Sequence, residues 1–217
     1  MHTLFLTLPF LYTYSMSVSY FRMSASDVPC DTAETARYLG YAKNIPPGST
    51  VSALIHESCE QMHKLLAPQS VYDIFPLAHG ADDLLSFAGT ELHSVDLSRN
   101  LVNCTRVVLF AATIGPQVDA LIRRTQLGGK ADAAVMQAAG AMFIETFVDA
   151  LNDKIKADEA AAGHKTHPRY SPGYGDVPLS VQRLFFSHLP CSRIGLTLMD
   201  TLIMAPEKSV TAFIGIE

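Results

Sequence analysis

The feature that most constrains the fold is an alanine-rich segment over residues 131–162, in which large apolar residues recur at helical spacing. Alanine favours the helix, and the recurring large side chains would form one apolar side that has to be buried. That side is made of Met136, Phe143, Ile144, Phe147, Leu151 and Ile155. The segment over residues 104–113 contains a continuous apolar run, residues 107–112, which is typical of a strand buried on both faces. The two segments therefore predict a long helix with one apolar side and a buried central strand.

Other segments predict shorter elements around this pair. Asp31 and Glu34 have the spacing of an N-cap and a capping-box glutamate, so a short helix is expected after Asp31. A longer amphipathic helix is expected from Ser49 or Thr50 up to Pro68. We also expect helices at 96–101, 118–122 and 180–188, and strands at 70–77, 85–90 and 209–216.

The order of these elements indicates the fold class. Strands and helices do not alternate regularly, and the tight turns favour antiparallel neighbours. The predicted class is therefore α+β, as a single domain with a mixed, mainly antiparallel sheet and flanking helices.

Residues 1–22 differ from the rest of the chain, because they are apolar, nearly uncharged and interrupted by Pro9. A signal peptide would carry a basic N-terminal region and a small-residue cleavage site, and neither is evident. We therefore expect a poorly structured or non-native extension over residues 1–22, followed by one domain over residues 23–217. On this interpretation, removal of residues 1–22 would leave folding and ligand binding intact.

Composition argues against several classes of partner. The 217-residue chain carries a formal net charge of −5 and no basic cluster longer than a pair such as Arg123 and Arg124, so no nucleic acid is expected to bind. Four cysteines without a C-x-x-C spacing fit free thiols in a reducing compartment, which predicts a cytoplasmic protein. A membrane span needs roughly 20 apolar residues, which the N-terminal segment does not supply cleanly, so no membrane partner is expected.

The segment over residues 169–178 has the composition of a shaped, ligand-binding loop, since it is rich in proline and glycine. Arg169 offers a planar set of donors suited to a carboxylate. Gly173 would let a ligand approach the backbone, and Tyr174 adds a flat face with a hydroxyl group. An amino-acid-bearing ligand would fit this chemistry. The alternative is an ordinary connection in which Arg169 pairs with a carboxylate of the protein.

Two stretches, RYSPGYGDVPLSVQRLF and IGLTLMDTLIMAPEKSVTAFIGI, resemble the closing half of the activation (reactivation) domain of cobalamin-dependent methionine synthase. The hallmark of that family is an Arg-x-x-x-Gly-Tyr loop, then a helix, then a Met-x-Pro-x-x-Ser-Val segment before the last strand. The corresponding residues are Arg169, Gly173, Tyr174, Met204, Pro206, Ser209 and Val210. The upstream segments RYLGY, VYDIFPL and VVLFAATIG resemble the short, free-standing members of the family, so the resemblance extends over residues 31–216.

The resemblance implies a set of site residues in the loop. Arg169 would engage the carboxylate of S-adenosylmethionine, and the backbone of Ser171 would contact the same ligand. Gly173 would belong to the binding loop. Tyr174 would bind the ligand and lie beside the methyl donor and the corrinoid, as the catalytic residue.

Glu145 and Asp149 are further ligand-binding candidates, because acidic residues on the long helix face the cleft in this family. They lie four residues apart, on one face of the predicted helix. The alternative is a solvated helix surface, since exposed carboxylates are the norm.

The resemblance also implies a function and partners. The chain would be a component of a methionine synthase methyltransferase, binding S-adenosylmethionine so that cob(II)alamin is reductively re-methylated. The cobalamin would be carried by a corrinoid-carrying methionine synthase module or another corrinoid protein, and flavodoxin or ferredoxin would donate the electron. The chain departs from the family in two ways. It reads Gly175-Asp176-Val177 where the fused enzymes continue with Pro-Ala-Cys, and it has no clear counterpart of the acidic residue near the start of the fused domain that meets the amino group of the ligand. Ligand binding could therefore be weaker or altered.

Two alternatives from other classes stay open. The chain could be a non-catalytic docking module of a corrinoid protein that has lost the methyl donor. It could also be a small metal-binding protein, because His56, Cys59 and His63 recur along one predicted helix. Most metal sites draw ligands from more than one element, so no metal is assigned.

Overall fold

The computed structural model describes residues 18–43, 45–127 and 129–217. Its helices are α1 (Thr32–Tyr38), α2 (Ser49–His63), α3 (Val95–Asn100), α4 (Pro116–Gln126), α5 (Lys130–Ala161) and α6 (Gln182–His188). Its strands are β1 (Ser19–Arg22), β2 (Gln69–His79), β3 (Leu84–Phe87), β4 (Thr90–His93), β5 (Arg106–Thr113), β6 (Thr197–Leu198), β7 (Met204–Ala205) and β8 (Ser209–Ile216). Short 3-10 turns precede and follow α6.

Six strands form the main sheet, in the order β4-β3-β2-β5-β8, with β1 paired to β2. The short strands β6 and β7 form a separate hairpin. All of the described pairings are antiparallel, so the predicted mainly antiparallel sheet is confirmed. Because β8 ends the strand order, one of its edges faces the loop that precedes α6.

β5 is buried on both faces, as its continuous apolar run predicted. Val108 and Phe110 point towards a core that α5 forms with α1, α2 and α4. Val107 and Leu109 point towards a second core beneath α3 and α6. All four side chains are fully buried, so β5 carries the hydrophobic contacts of both helical layers.

α5 is the central helix of the first core. By length and composition alone, residues 131–161 could cross a membrane. However, Phe143, Phe147 and Leu151 on its apolar side are completely buried against the other helices and the sheet. The segment is therefore the core helix that the periodicity predicted.

Two predicted helix starts differ in detail. Asp31 caps α1 as expected, accepting hydrogen bonds from the N–H groups of Ala33 and Glu34. Glu34 does not complete a capping box, because its carboxylate pairs with Arg37 one turn later. At α2 the N-cap is Gly48, with no side-chain cap, although Ser49 or Thr50 was expected there.

Two predicted element ends were also wrong. The segment over 85–90 was expected to be one strand, but it contains the turn of the β3–β4 hairpin. Ala88 and Gly89 reverse the chain there with φ angles of 51° and 70°. α2 was expected to reach Pro68, but it ends at His63 and the chain then turns into β2.

Residues 19–22 lie in the segment that the sequence assigned to an extension, yet they form β1, paired with β2. The Phe21 ring stacks on Phe147 of α5 with a centroid separation of 5.7 Å. The Ser70 hydroxyl donates a hydrogen bond of 3.1 Å to the Phe21 carbonyl. Residues 19–22 therefore belong to the domain rather than to an extension, while residues 1–17 lie outside the described residues.

A chain that begins at Met23 should be less stable than one that begins at Val18, because it lacks β1 and the Phe21 contact with α5. Loss of this packing should cost on the order of 2 kcal/mol of unfolding free energy. Urea unfolding of the two chains measures the difference. In the longer chain, Phe21→Ala should reproduce most of the loss of unfolding free energy. Tyr20→Ala, which changes a side chain on the exposed face of β1, should reproduce little of it. Equal stability of the two chains would contradict the role of β1.

Candidate functional site

A cleft of about 420 Å³ opens beside β8, between α5, the start of α6 and the loop that joins them. Its lining residues are Glu145, Arg169, Tyr170, Ser171, Pro172, Tyr174, Gln182, Met204, Ser209, Val210 and Thr211. Four of the predicted site residues, Glu145, Arg169, Ser171 and Tyr174, are thus brought together. Asp149 adjoins them through its contact with Arg169.

Backbone pairing with the edge of β8 fixes the course of the loop. The N–H groups of His167 and Tyr170 donate hydrogen bonds of 2.9 Å to the carbonyls of Gly215 and Phe213. The Phe213 N–H donates in return to the Tyr170 carbonyl at 2.8 Å. The chain leaves the strand after Tyr170, so Arg169 is held at the sheet edge and the next residues form the cleft wall.

The turn that follows requires a glycine at position 175. Gly175 has a φ of 53°, and a Cβ there would collide with the Asp96 carboxylate and the Tyr170 hydroxyl. Gly173 also has a positive φ, of 92°, and its N–H donates to the Val177 carbonyl at 2.9 Å. Gly173 therefore shapes the loop, and its contact with a ligand stays a prediction.

Asp176 anchors the loop to the N-terminus of α3. Its carboxylate accepts hydrogen bonds from the Ser94 hydroxyl and from the N–H of Val95, the latter at 2.7 Å. The hydrogen bond from the Ser94 hydroxyl is the main reason why the pKa of the Asp176 carboxyl lies below its ordinary value. The hydrogen bonds from the N–H groups of Val95 and Asp96 lower the pKa further. Asp176 stands at one of the positions where the chain departs from the fused enzymes, and here it serves as a tether.

Arg169 lies between the two carboxylates of α5. Its guanidinium donates to Glu145 at 2.7 Å and to Asp149 at 2.5 Å. The Arg169 side chain is 27% exposed, so these ion pairs are partly shielded from water. Burial alone would lower the pKa of Arg169, but the hydrogen bonds and charges of Asp149 and Glu145 raise it above its ordinary value. Arg169 therefore pairs with carboxylates of the protein, which was one of the two interpretations of the sequence of this loop.

Tyr174 and Ser171 lie on the wall of the cleft that faces solvent. Tyr174 is 69% exposed, which places its ring at the mouth of the cleft. The Ser171 carbonyl accepts a hydrogen bond of 3.4 Å from the Tyr174 N–H, within the turn. Tyr174 is thus positioned to touch a molecule that covers the cleft.

The segment before β8 supplies the far wall. Asp119 of α4 is buried, and its carboxylate accepts hydrogen bonds from the N–H groups of Glu207 at 2.5 Å and Lys208 at 3.4 Å. This contact fixes the turn that carries Met204 and Ser209 into the cleft. Both belong to the Met-x-Pro-x-x-Ser-Val segment, so the resemblance pointed to them without assigning them a role.

Gln182 and Thr211 also line the cleft, and no pattern in the sequence pointed to them. They are 7% and 2% exposed, respectively. The Gln182 Oε1 and Thr211 Oγ1 atoms are buried and have no hydrogen-bond partner among the described residues. Buried polar atoms of this kind are uncommon in folded proteins. The sequence carried no signal for them, because an unpartnered side chain is visible only once its surroundings are folded.

The alternative metal site does not form. His56 is exposed and pairs with Glu60, while Cys59 is buried beside Thr35 in the first core. The His63 ring stacks on Phe143, with its Nε2 3.1 Å from the Val28 carbonyl. No group of three potential ligands that could hold a metal occurs within the described part of the chain.

Comparison with known proteins bears on the fold. No protein-family model matches the chain, and no curated protein matches it. Among solved structures, the MetH reactivation domain bound to AdoHcy (S-adenosylhomocysteine) is similar, with a TM-score of 0.67 at 16% sequence identity. The similarity covers 92% of this chain and 78% of that one. The predicted activation-domain-like α+β fold is thereby confirmed, and at this identity the similarity concerns the fold alone.

Asp176→Ala should loosen the loop over residues 171–177 without unfolding the core, because it removes the tether to α3. Hydrogen–deuterium exchange at neutral pH should accelerate at residues 94–97 and 171–177, whereas β5 and α5 keep their protection. Asp200→Ala, which changes an exposed loop carboxylate, serves as the control.

The lowered pKa of Asp176 sets the pH window of this tether. A depressed carboxyl pKa means that the contact is present at neutral pH and is lost as the pH falls through the lowered value. The amide NMR signal of Val95 should therefore titrate below the ordinary aspartate value of about 3.9. A titration at or above that value would contradict the tether.

Proposed function

We propose that this protein binds S-adenosylmethionine in the cleft beside β8 and supports reductive re-methylation of cob(II)alamin carried by a corrinoid partner. The observation that carries the proposal is that Arg169 and Glu145 line the cleft as an ion pair, with Asp149 beside them as the second partner of Arg169. The fold that holds these residues is also that of a reactivation domain with AdoHcy bound. The volume of the cleft, about 420 Å³, lies within the range of ordinary small-molecule sites.

The charged end of the cleft matches an amino-acid head group, which carries a carboxylate and an ammonium. Arg169 has five N–H donors, and the ion pairs with Glu145 and Asp149 use two of them. The remaining donors would bind the ligand carboxylate, and the two acidic side chains would accept hydrogen bonds from the ammonium. Both signs of charge are therefore available within one cluster.

The same cluster favours the methyl donor over the demethylated product. Arg169 with Glu145 and Asp149 sums to a charge of −1, because one cation faces two carboxylates. S-adenosylmethionine carries a net charge of +1 through its sulfonium, whereas S-adenosylhomocysteine is neutral overall. The cluster would hold the donor more tightly and release the product more readily.

The mouth of the cleft is suited to a partner. Tyr174, Leu179, Met199 and Ile203 are large apolar side chains that are exposed on the loop, the turn before α6 and the β6–β7 hairpin. The Arg183 side chain of α6 hydrogen-bonds the Asp200 carbonyl, which holds this hairpin beside α6. We propose that this apolar surface meets the corrinoid-carrying module of a methionine synthase or another corrinoid protein.

In the proposed reaction, the protein positions the methyl donor and the partner supplies the cobalt. An external donor such as flavodoxin or ferredoxin provides one electron to cob(II)alamin; the sulfonium–methyl bond breaks, a cobalt–methyl bond forms, and the sulfur keeps the electron pair. Arg169 and its carboxylates would orient the head group, and Tyr174 would exclude water at the mouth. No proton is moved in the methyl transfer, so orientation is the main contribution required of the chain.

A second candidate function rests on the ion pairs of Arg169. Because Glu145 and Asp149 already satisfy two of its donors, the cluster could be a purely structural link between the loop and α5. The protein would then be a docking module that contacts the corrinoid protein without binding a methyl donor. Titration with S-adenosylmethionine separates the two functions.

Arg169→Lys should weaken S-adenosylmethionine binding while keeping the charge of the site, because lysine cannot reproduce the planar set of donors. Arg169→Ala should weaken it further, by about 1.5–3 kcal/mol or on the order of 10- to 150-fold in affinity. Isothermal titration calorimetry measures both changes.

A matched control is Arg106→Ala, which breaks a similar ion pair to α5, with Glu159 at 2.6 Å, on a different part of the helix. This control should leave the affinity unchanged, and thermal unfolding of each variant separates lost binding from lost folding. Parent-like affinity in Arg169→Ala would overturn the assignment of Arg169. Absence of saturable binding to the parent, with or without a corrinoid partner, would favour the docking module.

The charge cluster should also discriminate between donor and product. In the parent, S-adenosylmethionine should bind more tightly than S-adenosylhomocysteine by about 1 kcal/mol, or roughly 5-fold, and added salt should reduce this preference. Asp149→Asn should bring the ratio of the two affinities towards one, since the cluster becomes neutral. A ratio that neither salt nor Asp149→Asn alters would contradict the electrostatic account.

A further inference from the structure

We infer that Gln182 and Thr211 form a subsite that recognises the adenine base of the ligand and distinguishes its exocyclic amine from a carbonyl oxygen. The inference rests on the proposed function, because it assigns the second half of the same cleft. It concerns residues that neither the sequence motifs nor the charged cluster involves.

The primary observation is the pair of unpartnered oxygens. Gln182 Oε1 and Thr211 Oγ1 lie on two residues of the cleft wall that are 7% and 2% exposed. Neither atom has a hydrogen-bond partner among the described residues. A buried polar atom left without a partner destabilises the folded state. A ligand that supplies the partners would recover that loss on binding.

The position of this pair matches the far end of the ligand. Along β8, Ala212 and Ile214 point to the first core, whereas Phe213 points to the second core. Thr211 points to the same side as Phe213, because side chains alternate along a strand. That is also the side of α6, which carries Gln182.

Arg169 lies on the other side of the β8 edge, since its partners belong to α5. A ligand whose carboxylate meets Arg169 would therefore cross the strand edge. The opposite end of S-adenosylmethionine, which carries the base, would then reach Gln182 and Thr211.

The backbone of Thr211 adds two polar groups to the same place. Phe213 and Gly215 make backbone hydrogen bonds with the loop rather than with β5. In an antiparallel strand, the N–H and C=O groups of every second residue point to the same edge. The N–H and C=O of Thr211 therefore point to the same open edge of β8 as those of Phe213 and Gly215. The loop has left the strand by that point, and these groups face the cleft that Thr211 lines.

The chemistry of these groups fits adenine. The base presents an amine that donates and ring nitrogens that accept. Gln182 Oε1 can accept from the amine, and the Thr211 hydroxyl and N–H can donate to ring nitrogens. The Met204 side chain lines the same cleft and is flexible, so it can shift to admit a flat ring over the two oxygens.

The test compares S-adenosylhomocysteine with S-inosylhomocysteine, in which a carbonyl oxygen replaces the exocyclic amine. The parent should bind the adenosyl compound on the order of 10-fold more tightly. The inosyl carbonyl oxygen and Gln182 Oε1 are both hydrogen-bond acceptors, so no hydrogen bond can form between them. In Gln182→Met, which keeps the shape of the side chain, this preference should fall to about 2-fold or less. Isothermal titration of both compounds against both proteins gives the four affinities.

Thr211→Val provides a readout that does not involve a ligand. The variant should bind S-adenosylhomocysteine more weakly, yet its ligand-free melting temperature should equal or exceed that of the parent. A lowered melting temperature would show that the hydroxyl has a structural partner and would count against the subsite. Thr113→Val is the matched control, because Thr113 is a buried threonine of β5 whose hydroxyl hydrogen-bonds the Gly115 N–H, and its loss should lower the melting temperature.

The outcomes separate this inference from the proposed function. If the parent binds S-adenosylhomocysteine and the preference for the amine persists in Gln182→Met, the subsite is overturned while the proposed function stands. A preference for the inosyl compound would also overturn it, since it would mean that Gln182 presents its NH₂ group. If the parent binds neither compound, the proposed function fails and the subsite fails with it.

Discussion

The cleft depends on the backbone pairing of Tyr170 with Phe213 at the edge of β8. This pairing closes part of an open sheet edge, which would otherwise leave a row of unpaired N–H and C=O groups. It also places Arg169 opposite α5 and starts the turn that brings Tyr174 to the cleft mouth. Where this loop leaves the strand, the edge of β8 stays open to the cleft.

The two sides of that edge differ in polarity, so the two ends of the cleft offer different chemical groups. On the α5 side, Arg169 and two carboxylates form a charged cluster that is partly shielded from water. On the α6 side, Gln182 and Thr211 of the cleft wall carry buried, neutral polar atoms that have no hydrogen-bond partner among the described residues. A molecule with a zwitterionic end and a neutral heteroaromatic end is the type of ligand that satisfies both sides.

Much of the fold was predictable because hydrophobic periodicity reports burial directly. The run that became β5 is apolar at each of the buried positions 107–112, and the large residues of α5 recur about once per turn, so the burial of both elements was predictable. β1 was missed because its four residues continue an apolar N-terminal segment. Their role as a strand follows from pairing with β2, about fifty residues further along the chain.

The candidate site was predictable only in part. The resemblance pointed to Arg169, Ser171 and Tyr174, and the helical spacing placed Glu145 and Asp149 on one face. The ion pairs that join Arg169 to α5 span 20 and 24 residues, so no local pattern indicates them.

The α6 side of the cleft is a different case. The unpartnered state of Gln182 and Thr211 is a property of the folded surroundings, and single residues in a sequence do not reveal it.

The most direct test of the central claim is a crystal structure of the protein with S-adenosylhomocysteine. The account predicts that the ligand lies along the edge of β8, with its carboxylate hydrogen-bonded to Arg169 and its base against Gln182 and Thr211. A ligand bound in the reverse orientation, or at a place that leaves Arg169 with only Glu145 and Asp149 as partners, would contradict it.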